Sequence, residues 1–108
     1  MADFNNFLVD VEKGIASLIE NSFNEFRNQA IAAGKEFIED SKDDIKVWTE
    51  QLADGQLSKE DFEWLMRSKE TSAKLIILKH IGLTKAQVDK LTTGIIDVVN
   101  TSAFKYFV

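Results

Sequence analysis

A single histidine, His80, is the only imidazole this chain could use for acid–base or nucleophilic chemistry. Ser68 and Ser72 are the nearest available nucleophiles, and no G-x-S-x-G nucleophile elbow surrounds either of them. Asp61 and Asp97 are available acids without a spacing that links them to the histidine. A histidine on a partly apolar helix face is most often a packed or edge residue. We therefore expect no catalytic residue and no enzyme.

Acidic residues are dense in one short stretch: Glu36, Glu39, Asp40, Asp43 and Asp44. Helical spacing places these carboxylates in pairs on common faces, an arrangement that suits a hard cation. Neither the spacing of an EF-hand nor the Glu-x-x-His pair of di-metal bundles is present. Three lysines, Lys35, Lys42 and Lys46, are interspersed. We interpret the cluster as a solvated acidic face and expect no metal site.

Residue types and motifs that the chain lacks exclude further classes of functional site. The chain has no cysteine, which excludes disulfides, thiolate metal sites and a catalytic thiol. Its five glycines are isolated from one another, so no glycine-rich phosphate loop is present and we expect no cofactor. A ligand pocket inside a bundle leaves no pattern in a sequence. The absence of proline fits a nearly all-helical chain, because proline breaks helix interiors.

Large apolar residues recur every eleven positions in the first half of the chain: Phe4, Ile15, Phe26, Phe37 and Trp48. Eleven residues over three turns is about 3.67 residues per turn, close to a straight α-helix. The pattern predicts one long amphipathic helix over 3–53, with Asp3 as its N-cap and Gly55 just beyond its end. The alternative is a break, near Gly34 or at the acidic segment 40–44. We favour the continuous helix because the eleven-residue register runs through both places.

The clearest local signals are two N-caps. Ser58 and Thr84 each precede a helical run, with Asp61 and Gln87 three residues later as in a capping box. They predict helices over 58–81 and 84–106, joined by a short corner that favours an antiparallel hairpin. The fold class is therefore all-α, a single helical domain over 1–108, with three helices, or four if the first breaks near Gly34.

The helix over 58–81 is apolar on two faces. One face carries Phe62, Met66, Ala73, Ile76 and His80; the other carries Trp64, Thr71, Leu75 and Leu78. A helix that is apolar on two sides lies between neighbours.

The predicted first helix is much longer than the predicted hairpin, which indicates that a partner covers part of it. A helix of about 49 residues is ~74 Å long, whereas helices of ~23 residues reach only ~35 Å, so the hairpin covers half of it. The uncovered residues form the N-terminal stripe: Phe4, Phe7, Leu8, Val11, Ile15, Leu18, Ile19, Phe23 and Phe26. A stripe of this size in water favours aggregation, so we expect a homo-oligomer, most simply a homodimer, with the stripe as its interaction surface.

The formal charge of −5 is unevenly distributed. It is −3 over residues 1–33, −4 over 34–57 and +2 over 58–108. An acidic total without a cluster of Lys and Arg argues against nucleic acid as a partner. The first residues, MADFNNFLVDVEKG, lack the features of a secretory signal, and no apolar run is long enough to span a bilayer. We expect a cytoplasmic protein.

These observations lead to one functional hypothesis and one alternative. The hypothesis is a non-catalytic helical interaction or structural protein that acts as a homo-oligomer. The alternative is an amphipathic protein that binds a lipid or other hydrophobic surface through Phe7, Phe23 and Phe26. A membrane surface is not favoured, because the polar face of residues 5–29 carries only Lys13 and Arg27 as basic residues. The sequence specifies neither the biological process, the oligomer size nor a hetero-partner.

Overall fold

The computed structural model describes residues 4–80 and 82–108. Over these residues the chain forms five α-helices and no strand, so the all-α class is confirmed. The helices are α1 (Phe4–Ser22), α2 (Arg27–Ala53), α3 (Lys59–Arg67), α4 (Glu70–His80) and α5 (Lys85–Phe107), with a 3-10 turn (Asn24–Phe26) between α1 and α2. The predicted N-cap Asp3 lies outside the described residues.

The helices form an up-down-up-down bundle of four arms, in which α3 and α4 together make the third arm. The first arm, α1, packs on α2 and α5, and α4 packs on the same two helices from the other side. Antiparallel order is fixed by contacts such as Ser102 to Asp10 at 2.7 Å and Lys74 to Asp89 at 3.1 Å. The bundle measures 40 × 23 × 19 Å. Each arm thereby buries its apolar stripe against two neighbours.

The continuous helix predicted over 3–53 is wrong, because the chain turns back between α1 and α2. Phe23 and Phe26 leave the α-helical conformation, with φ of −136° and −117°. The 3-10 turn begins directly after Phe23 and ends at Phe26. The reversal takes four residues, close to the 3.6 residues of one helical turn, so the eleven-residue register passes through it unchanged. Asparagine and serine around the turn also hydrogen-bond readily outside helices. The register was therefore not evidence of continuity.

Gly34 is not a hinge but a point of close helix contact. It lies inside α2, which is unbroken there and through the acidic segment 40–44. A Cβ atom at Gly34 would lie 3.0 Å from Cγ2 of Ile15 on α1. The missing side chain therefore allows α1 and α2 to approach closely, which the fold-back requires.

The local capping signals are confirmed. Gly55 follows α2 in the left-handed conformation, with φ of 78°, the usual role of glycine after a helix end. The Ser58 hydroxyl accepts a hydrogen bond from the Asp61 amide at 3.0 Å. Thr84 and Gln87 form a complete capping box at the start of α5. The boundaries of α5 agree with the predicted helix over 84–106 to within one residue.

The helix predicted over 58–81 is divided in two at Ser68 and Lys69. The amide of Ser68 is shared between the carbonyls of Trp64 at 3.1 Å and Leu65 at 3.2 Å, which tightens the last turn of α3. The Ser68 hydroxyl also donates to the Leu65 carbonyl at 2.5 Å. Serine side chains compete in this way for helix carbonyls and disturb the regular ladder. Helix α4 begins after this irregular turn.

Candidate functional site

The N-terminal stripe, predicted as an uncovered interaction surface, lies against the core of its own chain. Its buried members are Phe7, Val11, Ile15, Ile19 and Phe23, and its half-buried members are Phe4, Leu8, Leu18 and Phe26, which pack against the core. The reason is the fold-back at the 3-10 turn, which makes α1 short enough for α2 and α5 to cover. The premise of an exposed stripe is therefore wrong.

Aromatic contacts show how the chain closes over this stripe. The Phe7 ring meets the Phe107 ring edge-on, with centroids 5.5 Å apart, and the centroids of the Phe4 and Phe7 rings are 5.7 Å apart. A lipid surface would reach Phe7 or Phe23 only after the bundle opened, because both are buried. Of the three aromatics on which the lipid alternative was based, Phe7 and Phe23 are buried and Phe26 is half-buried against the core.

Six large apolar side chains are exposed among the described residues, and two of them lie close together on α4; the others are Val9, Val47, Trp64 and Val108. Leu75 and Leu78 are 64% and 54% exposed, and we call this pair the α4 ridge. Ala73 and Ile77 hold the opposite, inner face of the same helix and are fully buried. Leu75 is turned by ~160° from each of them, so it points directly away from the core. In α3, Trp64 is 68% exposed.

The sequence predicts that this face is apolar and that a neighbouring helix covers it. In the described part of the chain, only the inner face of α4 has one, formed by α2 and α5. Large apolar side chains that remain exposed together on a small protein commonly mark an interaction site.

A second feature, which no pattern in the sequence predicts, is a groove between α1 and α2. Its volume is about 300 Å³, and we call it the α1–α2 groove. Apolar side chains including Leu8, Ile31 and Ile38 line it, and Gly34 and Ala16 leave it open because their side chains are absent or small. The volume lies at the lower end of the range for ligand pockets. No spacing rule predicts such a groove, since it depends on how closely two helices cross.

Charged side chains also line the groove. Glu12 lies on the α1 side, and Lys35, Glu39 and Lys42 lie on the α2 side. None of these four groups forms an ion pair with another of the described residues. The groove thus presents an apolar floor beside charges that remain available to an external partner.

The one histidine is held in a cluster at the end of α4. Its Nε2 lies 2.8 Å from Oε1 of Glu36 on α2, and the other carboxylate oxygen accepts a hydrogen bond from Lys79. Lys79, and then His80, hold the pKa of Glu36 below its ordinary value. No serine contacts the imidazole within the described residues, so the geometry of a Ser-His-acid triad is not present there. The cluster fastens α4 to α2.

The acidic stretch of α2 is divided between neighbours and solvent. Asp44 pairs with Lys69 in the turn between α3 and α4, and Glu36 pairs with Lys79 and His80 of the cluster just described. Over residues 4–80 and 82–108, no group of three or more His, Cys, Asp or Glu side chains is arranged to hold a metal ion. No helix in this part of the chain is long and apolar enough to cross a membrane.

Charge is separated between the two halves of the bundle. Residues 4–53, which form α1 and α2, carry ten acidic and five basic side chains. Residues 59–107, which form α3 to α5, carry six acidic and eight basic side chains. The groove therefore lies on an acidic half and the ridge on a mildly basic half.

Comparison with protein-family models, with curated proteins and with solved structures found no significant match for this chain.

Proposed function

We propose that this protein is a non-catalytic helical interaction protein that acts as a homo-oligomer. The observation that supports the proposal is the α4 ridge, two leucines that project from a bundle whose other large side chains are mostly covered. Removing apolar surface from water contributes roughly 25 cal/mol per Å², so association that covers the ridge is favourable.

The arrangement of the chemistry-bearing side chains agrees with a role in binding. His80 is engaged by Glu36 and thereby ties two helices together. Other charged pairs also connect two arms of the bundle; Lys105 of α5, for example, lies 3.2 Å from Asp10 of α1. His80 and the paired carboxylates of Glu36 and Asp10 thus help to hold the bundle together.

The molar mass in solution tests the proposal. We expect size-exclusion chromatography with light scattering to give a mass above the 12.2 kDa of one chain, increasing with protein concentration. The variant Leu75→Asp should shift the mass towards that of the monomer. Val47→Asp is the matched control, since Val47 is 50% exposed on α2 and lies away from both the ridge and the groove.

Two results would overturn the proposal. One is a wild-type protein that remains at the monomer mass at every concentration up to the solubility limit. The other is an equal loss of mass in Leu75→Asp and Val47→Asp, since this would show a general effect of surface charge. Circular dichroism of both variants establishes that each remains folded.

A further inference from the structure

We infer that two copies of this chain can exchange α1, so that α1 of each copy packs in the bundle of the other. In the exchanged pair, the turn between α1 and α2 straightens and the two helices join into one. The partner is thus a second copy of this chain. The surface that it occupies is the face of α2 and α5 that α1 covers in a single copy. This inference goes beyond the α4 ridge and does not depend on it.

The turn between α1 and α2 is compatible with a continuous helix. No glycine or proline lies between Ser22 and Arg27, so the strongest helix breakers are absent. The amide of Phe26 donates to the carbonyl of Phe23 at 2.9 Å, a 3-10 bond, and such bonds have poorer geometry than those of an α-helix. No side chain among the described residues caps the start of α2. Straightening gives the first amides of α2 the carbonyls of the preceding turn as regular partners.

The apolar faces of α1 and α2 stay aligned when the turn straightens. Ile15, Phe26 and Phe37 keep a spacing of eleven residues across the turn, which corresponds to three turns of a helix. A joined helix therefore carries the apolar faces of both halves on one side. A register that slipped at the turn would instead direct one of these faces to solvent.

The position of the turn fits two joined helices related by a two-fold axis. Ile15 lies eight residues before Phe23, and Gly34 lies eight residues after Phe26. Two antiparallel helices centred on the turn therefore place Ile15 of one copy beside Gly34 of the other. In a single copy these residues already meet, since a Cβ atom at Gly34 would lie 3.0 Å from Ile15. The exchanged pair thus reproduces the packing of α1 on α2, and it adds a contact between Phe23 of one copy and Phe26 of the other.

The contacts of α1 with the bundle are available in both forms. The hydrogen bond from Ser102 to Asp10, for example, forms within one chain in a single copy and between two chains in the exchanged pair. Exchange of an identical element is therefore a low-cost route to a dimer. Conversion requires α1 to leave the bundle, which exposes buried side chains such as Phe7 and Ile19. We therefore expect the exchanged pair to form while chains fold at high concentration, and not on mixing folded copies.

A pair of cysteines reports which copy supplies α1. A Cβ atom at Gly14 of α1 would lie 3.6 Å from the Cβ atom of Val98 on α5, within the range of a disulfide. The chain has no cysteine of its own. Gly14→Cys with Val98→Cys should form a disulfide within one chain after refolding at low concentration, and between two chains after refolding at high concentration. Non-reducing electrophoresis should then show the 12.2 kDa chain and a species of about twice that mass, respectively.

Two further substitutions make the result specific. Leu75→Asp is present in every sample, so that the α4 ridge cannot contribute to association. Val98→Cys without Gly14→Cys controls for chance cross-linking, because the two copies of residue 98 lie in separate bundles of the exchanged pair. A covalent dimer as abundant in this control as in the double variant would overturn the inference. A double variant that forms only the internal disulfide at every concentration would also overturn it.

Substitutions at Asn24 test the straightened turn without cysteines. Asn24 is exposed and lies in the 3-10 turn. Alanine is the best helix former and glycine one of the poorest, so the dimer fraction after refolding at high concentration should be roughly fivefold higher, or more, for Asn24→Ala than for Asn24→Gly. Asn28 is exposed on α2 and is helical in both forms, so the same two substitutions there should give equal fractions. Equal fractions for the two Asn24 variants, measured by light scattering, would overturn the inference.

Exchange of α1 and association through the α4 ridge fail separately. Leu75→Asp removes the ridge contact, whereas exchange of α1 persists in that variant. A wild-type protein that stays monomeric when it has not been refolded overturns the proposed function and leaves the exchange of α1 to the cysteine experiment.

Discussion

Gly14 of α1 lies directly against Val98 of α5, and a Cβ atom at Gly14 would be 2.6 Å from Cγ1 of Val98. One helical turn further along each helix, the relationship is reversed. A Cβ atom at Gly94 of α5 would lie 2.7 Å from Cδ2 of Leu18 on α1. Each helix thus receives a branched side chain of its neighbour where it has a glycine. This reciprocal contact gives each of the two glycines a packing role inside a helix.

The first prediction follows from that contact. Gly14→Ala should reduce the free energy of unfolding by about 1 kcal/mol, although alanine is intrinsically the better helix former by about the same amount. The overlap outweighs this gain, since valine has one strongly preferred rotamer in a helix and cannot turn aside. Urea unfolding monitored by circular dichroism measures the change. Adding Val98→Ala should relieve the overlap, and a double variant whose losses simply add would contradict the explanation.

Two buried serines should respond to the same substitution with opposite signs. Ser41 is fully buried in α2, and its hydroxyl has no hydrogen-bond partner among the described residues. We expect Ser41→Ala to stabilise the protein by about 1 kcal/mol, since burial of an unpaired hydroxyl is unfavourable. Ser102→Ala should destabilise it by about the same amount, because the Ser102 hydroxyl donates to Asp10 at 2.7 Å. Thermal unfolding of both variants checks the pair; equal signs would refute the assignment.

The carboxylate of Glu36 should make stability depend on pH. Lys79 and His80 lower the pKa of Glu36 in the folded protein, so the folded state releases this proton more readily than the unfolded chain. The resulting stabilisation is fully present above the ordinary glutamate pKa of about 4.3 and is lost as the pH falls through the lowered value.

A variant isolates the contribution of this carboxylate. The difference in unfolding free energy between wild type and Glu36→Gln should be largest at neutral pH and should shrink towards pH 3. Glu20→Gln is the control, since Glu20 is exposed and forms no ion pair with the described residues. Denaturant titrations between pH 3 and 7 measure both. A difference that stays constant over this range would contradict the role of the Glu36 pair.

The capping box of α5 gives a fourth prediction. The Thr84 hydroxyl accepts from the Gln87 amide at 3.2 Å, and the Gln87 side chain accepts from the Thr84 amide at 3.1 Å. Thr84→Ala should reduce the free energy of unfolding by about 1 kcal/mol. Thr84→Ser is the control and should be nearly neutral, because serine caps helices equally well. An alanine variant as stable as the wild type would show that the cap contributes little.

The helix caps were predictable from the sequence, whereas the reversal of the chain between α1 and α2 was not. The caps at Ser58 and Thr84 depend on side-chain to backbone bonds within four residues, so they appear at the expected positions. The reversal at Phe23–Phe26 contains neither glycine nor proline. It is stabilised by burial of α1 against α5, a helix that begins more than fifty residues later. No residue pattern near the turn indicates a contact between two helices that are so far apart in the sequence.

The two candidate surfaces, the α4 ridge and the α1–α2 groove, also differ in how much of each the sequence predicted. The outer face of α4 was recognisable because Leu75 and Leu78 are three residues apart on one helix. Its exposure was not recognisable, since that depends on which helices reach it. The groove depends on the close approach of Gly34 to Ile15, which belong to different helices. Periodicity describes one helix at a time, so features shared by two helices were missed.

The packing of α1 on α5 also has a consequence for how the chain folds. The pairs α1–α2 and α4–α5 are neighbours in sequence, but Asp10 and Ser102 are 92 residues apart. The entropy lost on closing a loop rises with its length, and contacts between distant residues slow folding. The side of the bundle that holds Gly14 and Phe7 therefore forms only when nearly the entire chain has come together. Substitutions on that side should alter the folding rate differently from substitutions in the hairpin of α4 and α5.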